Sequence, residues 1–214
     1  SLYGFAAGNV IVKPSTLQET GWVAATQQGG KSANARFVGG PDTPPAGVGS
    51  VLLSIGGGQA DPGAAWLDPL PKVYLGTNRL NGIPLDRITK LKLWVCPSDW
   101  IWAGAQPVTV ELAVGKGSEL RLCTFKPWGF TPTGLYGKMK WQEFDLLADG
   151  GAWEVTNIDA PQRGDWSWLV TNYPSATVVT PSARDWPFGT ISGTGLSIKI
   201  GSGKAAGRFR KSTQ

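Results

Sequence analysis

Histidine is absent from this chain of 214 residues. Its absence excludes His-based triads, histidine general bases and histidine metal ligands in one step. Cysteine is scarce, with only Cys96 and Cys123. Two thiols are too few for a zinc site of the usual kind. Charge is sparse as well: 16% of residues are Asp, Glu, Lys or Arg, against roughly 25% in an average soluble domain. There is no apolar run of the roughly eighteen residues that a membrane-spanning helix needs, so no membrane span is expected. No signal peptide is visible, and Ser1-Leu2-Tyr3-Gly4 reads as the start of a mature or trimmed chain.

What is present is turn chemistry and aromatic surface. Gly (30) and Pro (16) are scattered as punctuation between short apolar runs, and Trp occurs 11 times. Many short strands separated by turns mark an all-β chain. The expected fold is a two-sheet antiparallel β-sandwich of the jelly-roll or concanavalin-like kind, with at most one or two short helices. No fixed-period repeat or low-complexity linker divides it, so residues 1–214 read as a single domain.

The cleanest strand is 88–95 (ITKLKLWV), where Leu91, Leu93 and Val95 alternate with Lys90, Lys92 and Trp94. That period of two gives one buried and one wet face. Residues 107–114 alternate again, with Val108, Val110, Leu112 and Val114 inward and Thr109 and Glu111 outward. The turn at Gly115-Lys116-Gly117 leads to a strand over 119–125, whose apolar parity is Leu120 and Leu122. Further strands are expected at 9–12, 49–55, 72–76, 140–147, 177–180 and 195–200. Residues 22–25 and 35–38 read as a hairpin around Gln27-Gln28-Gly29-Gly30. Residues 166–173 are the best helix candidate, capped by Asp165 and stopped by Pro174.

Net charge is +5, yet Lys and Arg are dispersed except at 204–211 (KAAGRFRK). A nucleic-acid binder would gather them in a stripe, so no nucleic-acid partner is expected.

Several stretches resemble secreted bacterial jelly-roll-like β-sandwich domains that are mostly uncharacterised. Val12-Lys13-Pro14-Ser15 precedes Gly21-Trp22, and residues 37–50 (FVGGPDTPPAGVGS) resemble the family's F-V-x-G-P-x-T-P-P-x-G-x-G-S segment. Leu75-Gly76-Thr77-Asn78, Leu85 with Ile88-Thr89, Trp141-Gln142 with Asp145, and Tyr173-Pro174 fall where such domains place similar residues. The resemblance implies a sandwich in a secreted or cell-surface protein. It implies no catalytic residue. Such domains usually end on a further strand, whereas this sequence stops at Gln214. An unfinished sheet edge is a docking site for another strand.

Four constellations could carry chemistry. Trp66, Trp100, Trp102, Trp128 and Trp153 sit in expected loops, and Trp94 points to the polar side of its strand. Flat rings beside amides and carboxylates suit sugar faces; the plainer role of such loop tryptophans is as lids over the sandwich. Trp94, Trp100, Trp102, Trp128 and Trp153 form the candidate ligand set. Glu143 and Asp145 share a strand face, and Glu111 lies outward on another strand. Two carboxylates at glycosidase spacing would hydrolyse a glycosidic bond; ordinary strand-surface acids are the alternative. The sandwich-fold glycosidases that this E-F-D pattern resembles carry a third acid where Leu147 stands here. Asp61 and Asp68 lie in Gly- and Pro-rich loops and are weak candidates for a structural Ca²⁺, the default role of such residues being turn formation. Cys96 and Cys123 both take outward parity, so they either pair as a disulfide, which fits an extracytoplasmic protein, or remain two thiols.

The expectation is therefore a secreted, non-catalytic β-sandwich that binds polysaccharide through Trp-bearing loops. A structural subunit of an extracellular filament, sheath or surface layer, self-associating through strand edges, is the second reading. A glycoside hydrolase or polysaccharide lyase is the third.

Overall fold

Val108, Val110, Leu112 and Val114 all turn inward as their alternation demands, each at most 9% exposed. They belong to the strand at the middle of the largest sheet. The computed structural model describes residues 17–27, 33–39, 44–45, 50–55, 72–96, 108–127, 140–148, 153–155, 160–181 and 194–200. In chain order the strands are β1 (Trp22–Gln27), β2 (Ala33–Val38), β3 (Ser50–Ile55) and β4 (Lys72–Thr77). Next come a 3-10 turn (Leu85–Arg87), β5 (Lys92–Val95), β6 (Val108–Lys116), β7 (Glu119–Phe125) and β8 (Gln142–Asp145). β9 (Trp153–Val155), β10 (Gln162–Gly164), helix α1 (Trp166–Asn172), β11 (Thr177–Val178) and β12 (Leu196–Ile200) follow. The fold is all-β and sandwich-like.

The main sheet is antiparallel and runs β1-β4-β12-β6-β7-β9-β10. β12 lies along Val108–Leu112 of β6, and β11 continues on the same edge at Val114 and Gly115. β6 and β7 form a tight hairpin with Lys116 opposite Glu119. Gly117 at its tip takes φ 60, a value only glycine adopts freely in such a two-residue turn.

One face of this sheet is the core. Val110, Leu112, Val114, Cys123, Phe125, Trp153 and Val155 meet Leu85, Ile88, Leu146, Trp166, Leu169, Ala176 and Val178. The second layer includes the antiparallel ribbon β5–β8. Its inner residues Leu93, Val95 and Phe144 pack on Val108, Ile198 and Ile200. Helix α1 adds to the same layer. At seven residues it is too short to stand alone. Asp165 caps it by accepting from the Trp168 amide at 2.7 Å, and Trp166 and Leu169 anchor it in the core. Gly164 lies directly beneath the Trp168 ring, where any Cβ would collide.

Three expectations are corrected. β1 and β2 do not pair with each other: β1 joins β4, and β2 joins β3 in a separate two-stranded sheet. The turn-rich 27–30 segment therefore connects strands of two sheets. On β7 the core-facing parity is Cys123 and Phe125, opposite Leu112 and Val110; Leu122 and Leu120 face the other side with Ala113 and Val179. On 88–95 only Lys92–Val95 forms ladder, because the Ile88 amide is spent on closing the 3-10 turn to Leu85 O at 3.1 Å. Residues 9–12 lie outside the described residues.

Candidate functional site

The outer face of the β5–β8 ribbon gathers aromatic and charged groups. Lys92 stands opposite Asp145, and Trp94 opposite Glu143. Directly opposed side chains in such a ladder have Cβ atoms about 5 Å apart. Lys92 donates to the Glu143 carboxylate and lies 3.8 Å from Asp145. The hydrogen bond that Lys92 donates to Glu143 holds its ammonium above the ordinary lysine value. Asp145 also accepts from the Leu147 amide at 3.1 Å, which ends the strand in a turn. Trp141 carries the parity of Glu143 and Asp145, so it continues this face on the diagonal from Trp94. Both indoles are half-buried.

This end of the ribbon is also where two long connections are anchored. Val95 pairs with Gln142, so the chain leaves at Cys96 and returns at Lys140 on the same side. The connections are residues 97–107, with Trp100 and Trp102, and residues 128–139, with Trp128. These three tryptophans lie outside the described residues, as do Trp66, Asp61 and Asp68. Among the described residues, no group of three or more His, Cys, Asp or Glu side chains comes together as a metal site.

A second polar array crosses the far face of the main sheet. Register aligns Ser197, Glu111, Thr124, Glu154 and Arg163 in one row across β12, β6, β7, β9 and β10. Glu111 and Glu154 are only 4% and 5% exposed. Lys199 pairs with Glu111. Glu154 Oε1 accepts from Lys126 at 3.1 Å, and its Oε2 from Arg163 at 2.7 Å. Burial raises the Glu154 carboxyl, but these hydrogen bonds outweigh burial and leave it below its usual range. Tyr74 lies in the neighbouring row, beside Lys199. Burial, then the Glu111 charge, push its phenol above the ordinary value. Glu154 is thus held at both oxygens, tying β7, β9 and β10 together. Glu111 keeps one oxygen without a hydrogen bond.

The sequence candidates divide accordingly. Trp94, Glu143 and Asp145 share one face. Glu111 does not join them: it projects from the far side of the main sheet, while the ribbon covers the near side. The three carboxylates therefore form no common cleft. Trp153 is not a loop platform. It sits in β9 at 0% exposure, its indole donates to Leu146 O at 2.7 Å, and its ring packs edge-on against Phe125 and tilted against Trp166. Nor are Cys96 and Cys123 joined in a disulfide. Cys123 points into the core, where burial pushes its thiol up to about 12; Cys96 follows the end of β5 in the other layer.

Sequence reasoning missed Trp141, although its parity with Glu143 and Asp145 was readable. It also missed Glu154 and Arg163, because strands of three residues carry no periodic signal, and with them their partner Lys126, which follows β7. No protein-family model, curated protein or solved structure matches this chain, so the two polar faces are the material from which its function is argued.

Proposed function

We propose that the outer face of the β5–β8 ribbon is a carbohydrate-binding platform and that the protein binds glycan without cleaving it. One observation carries the reading: Trp94 stands half-exposed directly across from Glu143, with Trp141 on the adjoining diagonal of the same face. An indole offers a flat apolar plane to the C–H face of a sugar at low ordering cost. The Glu143 carboxylate accepts from sugar hydroxyls, and Lys92 donates to them. Two rings on one diagonal suit successive residues of an oligosaccharide. Trp100, Trp102 and Trp128 belong to the connections anchored at this end and lie outside the described residues. A non-catalytic role is preferred because Glu111 faces away from Glu143 and Asp145.

An extracytoplasmic home belongs to the same reading. It rests on the resemblance over residues 37–50, since no disulfide adds to it.

The test is retardation in gels containing soluble polysaccharides, followed by a glycan array. Trp94→Ala and Trp141→Ala are each expected to weaken binding roughly tenfold, equivalent to about 1.4 kcal/mol. Glu143→Gln is expected to weaken it less, because the amide still accepts. Trp22→Ala, on a different sheet, serves as the control. No retardation by any glycan, or retardation untouched by both ribbon variants, refutes the proposal.

A further inference from the structure

The charges on the outer face of the ribbon answer one another. Lys92 donates to the Glu143 carboxylate, and its ammonium lies 3.8 Å from Asp145 Oδ2. Asp145 Oδ1 is occupied by the Leu147 amide. Lys90 stands exposed two residues ahead of the ladder. The Leu146 amide bonds to Leu91 O at 2.9 Å and keeps that segment beside β8 at the Asp145 end. Two ammonium groups therefore stand against two carboxylates. Lys140 lies at the opposite end and takes the other parity from Trp141. Among the described residues, the face that carries Trp94 and Trp141 is thus close to electrically neutral.

It still offers hydrogen bonds. The Lys92, Glu143 and Asp145 side chains are 31%, 44% and 36% exposed, so a ligand reaches all three. A lysine ammonium has three donors, and Lys92 spends one on Glu143. A carboxylate has about four acceptor sites, and the Lys92 ammonium and the Leu147 amide leave most of them open. These donors and acceptors lie within one residue pair of the Trp94 ring. Side chains already held against one another lose little freedom on meeting a ligand.

We infer that this face selects uncharged glycans, and that the Lys92–Glu143–Asp145 array sets the choice. That selection rests on the carbohydrate reading of the ribbon. A sugar hydroxyl both donates and accepts, so it bridges Lys92 and either carboxylate without disturbing their pairing. A uronate or sulfate group has to displace Glu143 from Lys92 and then face Asp145. A protonated amino sugar meets Lys92 and Lys90 beside the carboxylates it approaches. Each charged ligand gains one attraction against a broken pair and a like charge, the arrangement by which a site rejects a wrong partner. The net charge of +5 draws acidic polymers only from a distance. At about 0.15 M salt the screening length is about 8 Å, so dispersed lysines contribute little at the rings.

A glycan array at that salt concentration tests it, with neutral, uronic-acid, sulfated and free-amino glycans on one surface. Binding that Trp94→Ala removes is expected on neutral glycans alone. Acidic glycans held only by overall charge are expected to survive Trp94→Ala and to fade as salt rises. The joint variant Glu143→Gln with Asp145→Asn keeps acceptors at both positions and leaves Lys92 uncompensated. It is expected to gain uronic-acid glycans by roughly tenfold and to lose them again when Trp94→Ala is added. Lys92→Met leaves both acids uncompensated and is expected to gain free-amino glycans instead. If the joint variant loses its far-UV circular dichroism, Lys92→Met decides. Wild-type binding to a charged glycan that depends on Trp94 overturns the inference and leaves the platform standing. So does a charge preference that neither variant changes. An array with no Trp94-dependent glycan of any kind overturns the platform itself, and the inference with it.

Discussion

Replacing Trp153 by alanine removes the largest fully buried side chain among the described residues. Its ring bridges Phe125 on the main sheet and Trp166 on helix α1, and its indole N–H satisfies the Leu146 carbonyl at 2.7 Å. Truncating a buried Trp to Ala costs about 3–5 kcal/mol through lost transfer energy and the residual cavity. Leaving the Leu146 carbonyl without a donor adds about 1–3 kcal/mol. The sum, roughly 4–8 kcal/mol, compares with a total stability of about 5–15 kcal/mol for a typical protein. Trp153→Phe separates the two contributions. It keeps most of the ring contacts and loses the donor, so about 2–3 kcal/mol is expected, the upper part reflecting a small cavity. Urea unfolding followed by far-UV circular dichroism reads both variants, because ten other tryptophans complicate fluorescence. The m-value should stay constant if only native contacts are lost. A shift below about 1 kcal/mol for Trp153→Ala would refute its place at the junction of the two layers. It would also revive the idea of a surface ligand platform.

Three further outcomes are expected. Glu154→Gln should lower stability at neutral pH by about 2–4 kcal/mol, since Lys126 and Arg163 lose their shared buried partner. The folded Glu154 carboxyl lies below its unfolded value, so its contribution is present above about pH 4.3 and is lost as pH falls through the folded value. Acid titrations of stability should therefore be steeper for wild type than for the Gln variant. Asp165→Ala removes the cap of a seven-residue helix and should cost about 1 kcal/mol, a fall of about 2–4 °C in melting temperature by calorimetry. With Cys96→Ser leaving one thiol, Cys123 should ignore a thiol reagent at pH 8 until urea unfolds the chain. Its thiol is held near 12 by burial, and only the thiolate reacts; prompt labelling of the folded protein would contradict this.

The middle of the main sheet was legible in the sequence because β6 alternates Val, Val, Leu and Val against smaller or polar residues. Helix α1 was legible from Asp165 and Pro174, two residues with fixed backbone consequences. β7 was misread for a physical reason. Parity identifies a buried face only when the other face is wet, and here both are covered: Cys123 and Phe125 enter the core while Leu122 packs beneath Val179. Cys123, a small apolar side chain in practice, was outweighed by two leucines. β9 and β10 escaped because the Glu154–Arg163 pair across them looks like loop charge until the strands meet. Trp153 shows the same limit, since residue type alone does not distinguish a tryptophan that stacks on a ligand from one that fills a core. Of the candidate site, the Trp94–Glu143–Asp145 face was readable from alternation within each strand. That β5 and β8 lie side by side was not, since almost fifty residues separate them.

β12 occupies an unusual position for so late a segment. It lies between β4 and β6 and bonds to both, so β1 and β4 reach the rest of the main sheet only through it. During synthesis residues 22–77 and 108–178 emerge first, as two partial sheets with facing edges unfilled. Neither can join the other until residues 196–200 leave the ribosome. Folding of the whole sheet is thus a late event, governed by contacts far apart in sequence and slow for that reason. Until then two open edges coexist on one nascent chain, and chaperone occupancy during translation should peak just before β12 appears.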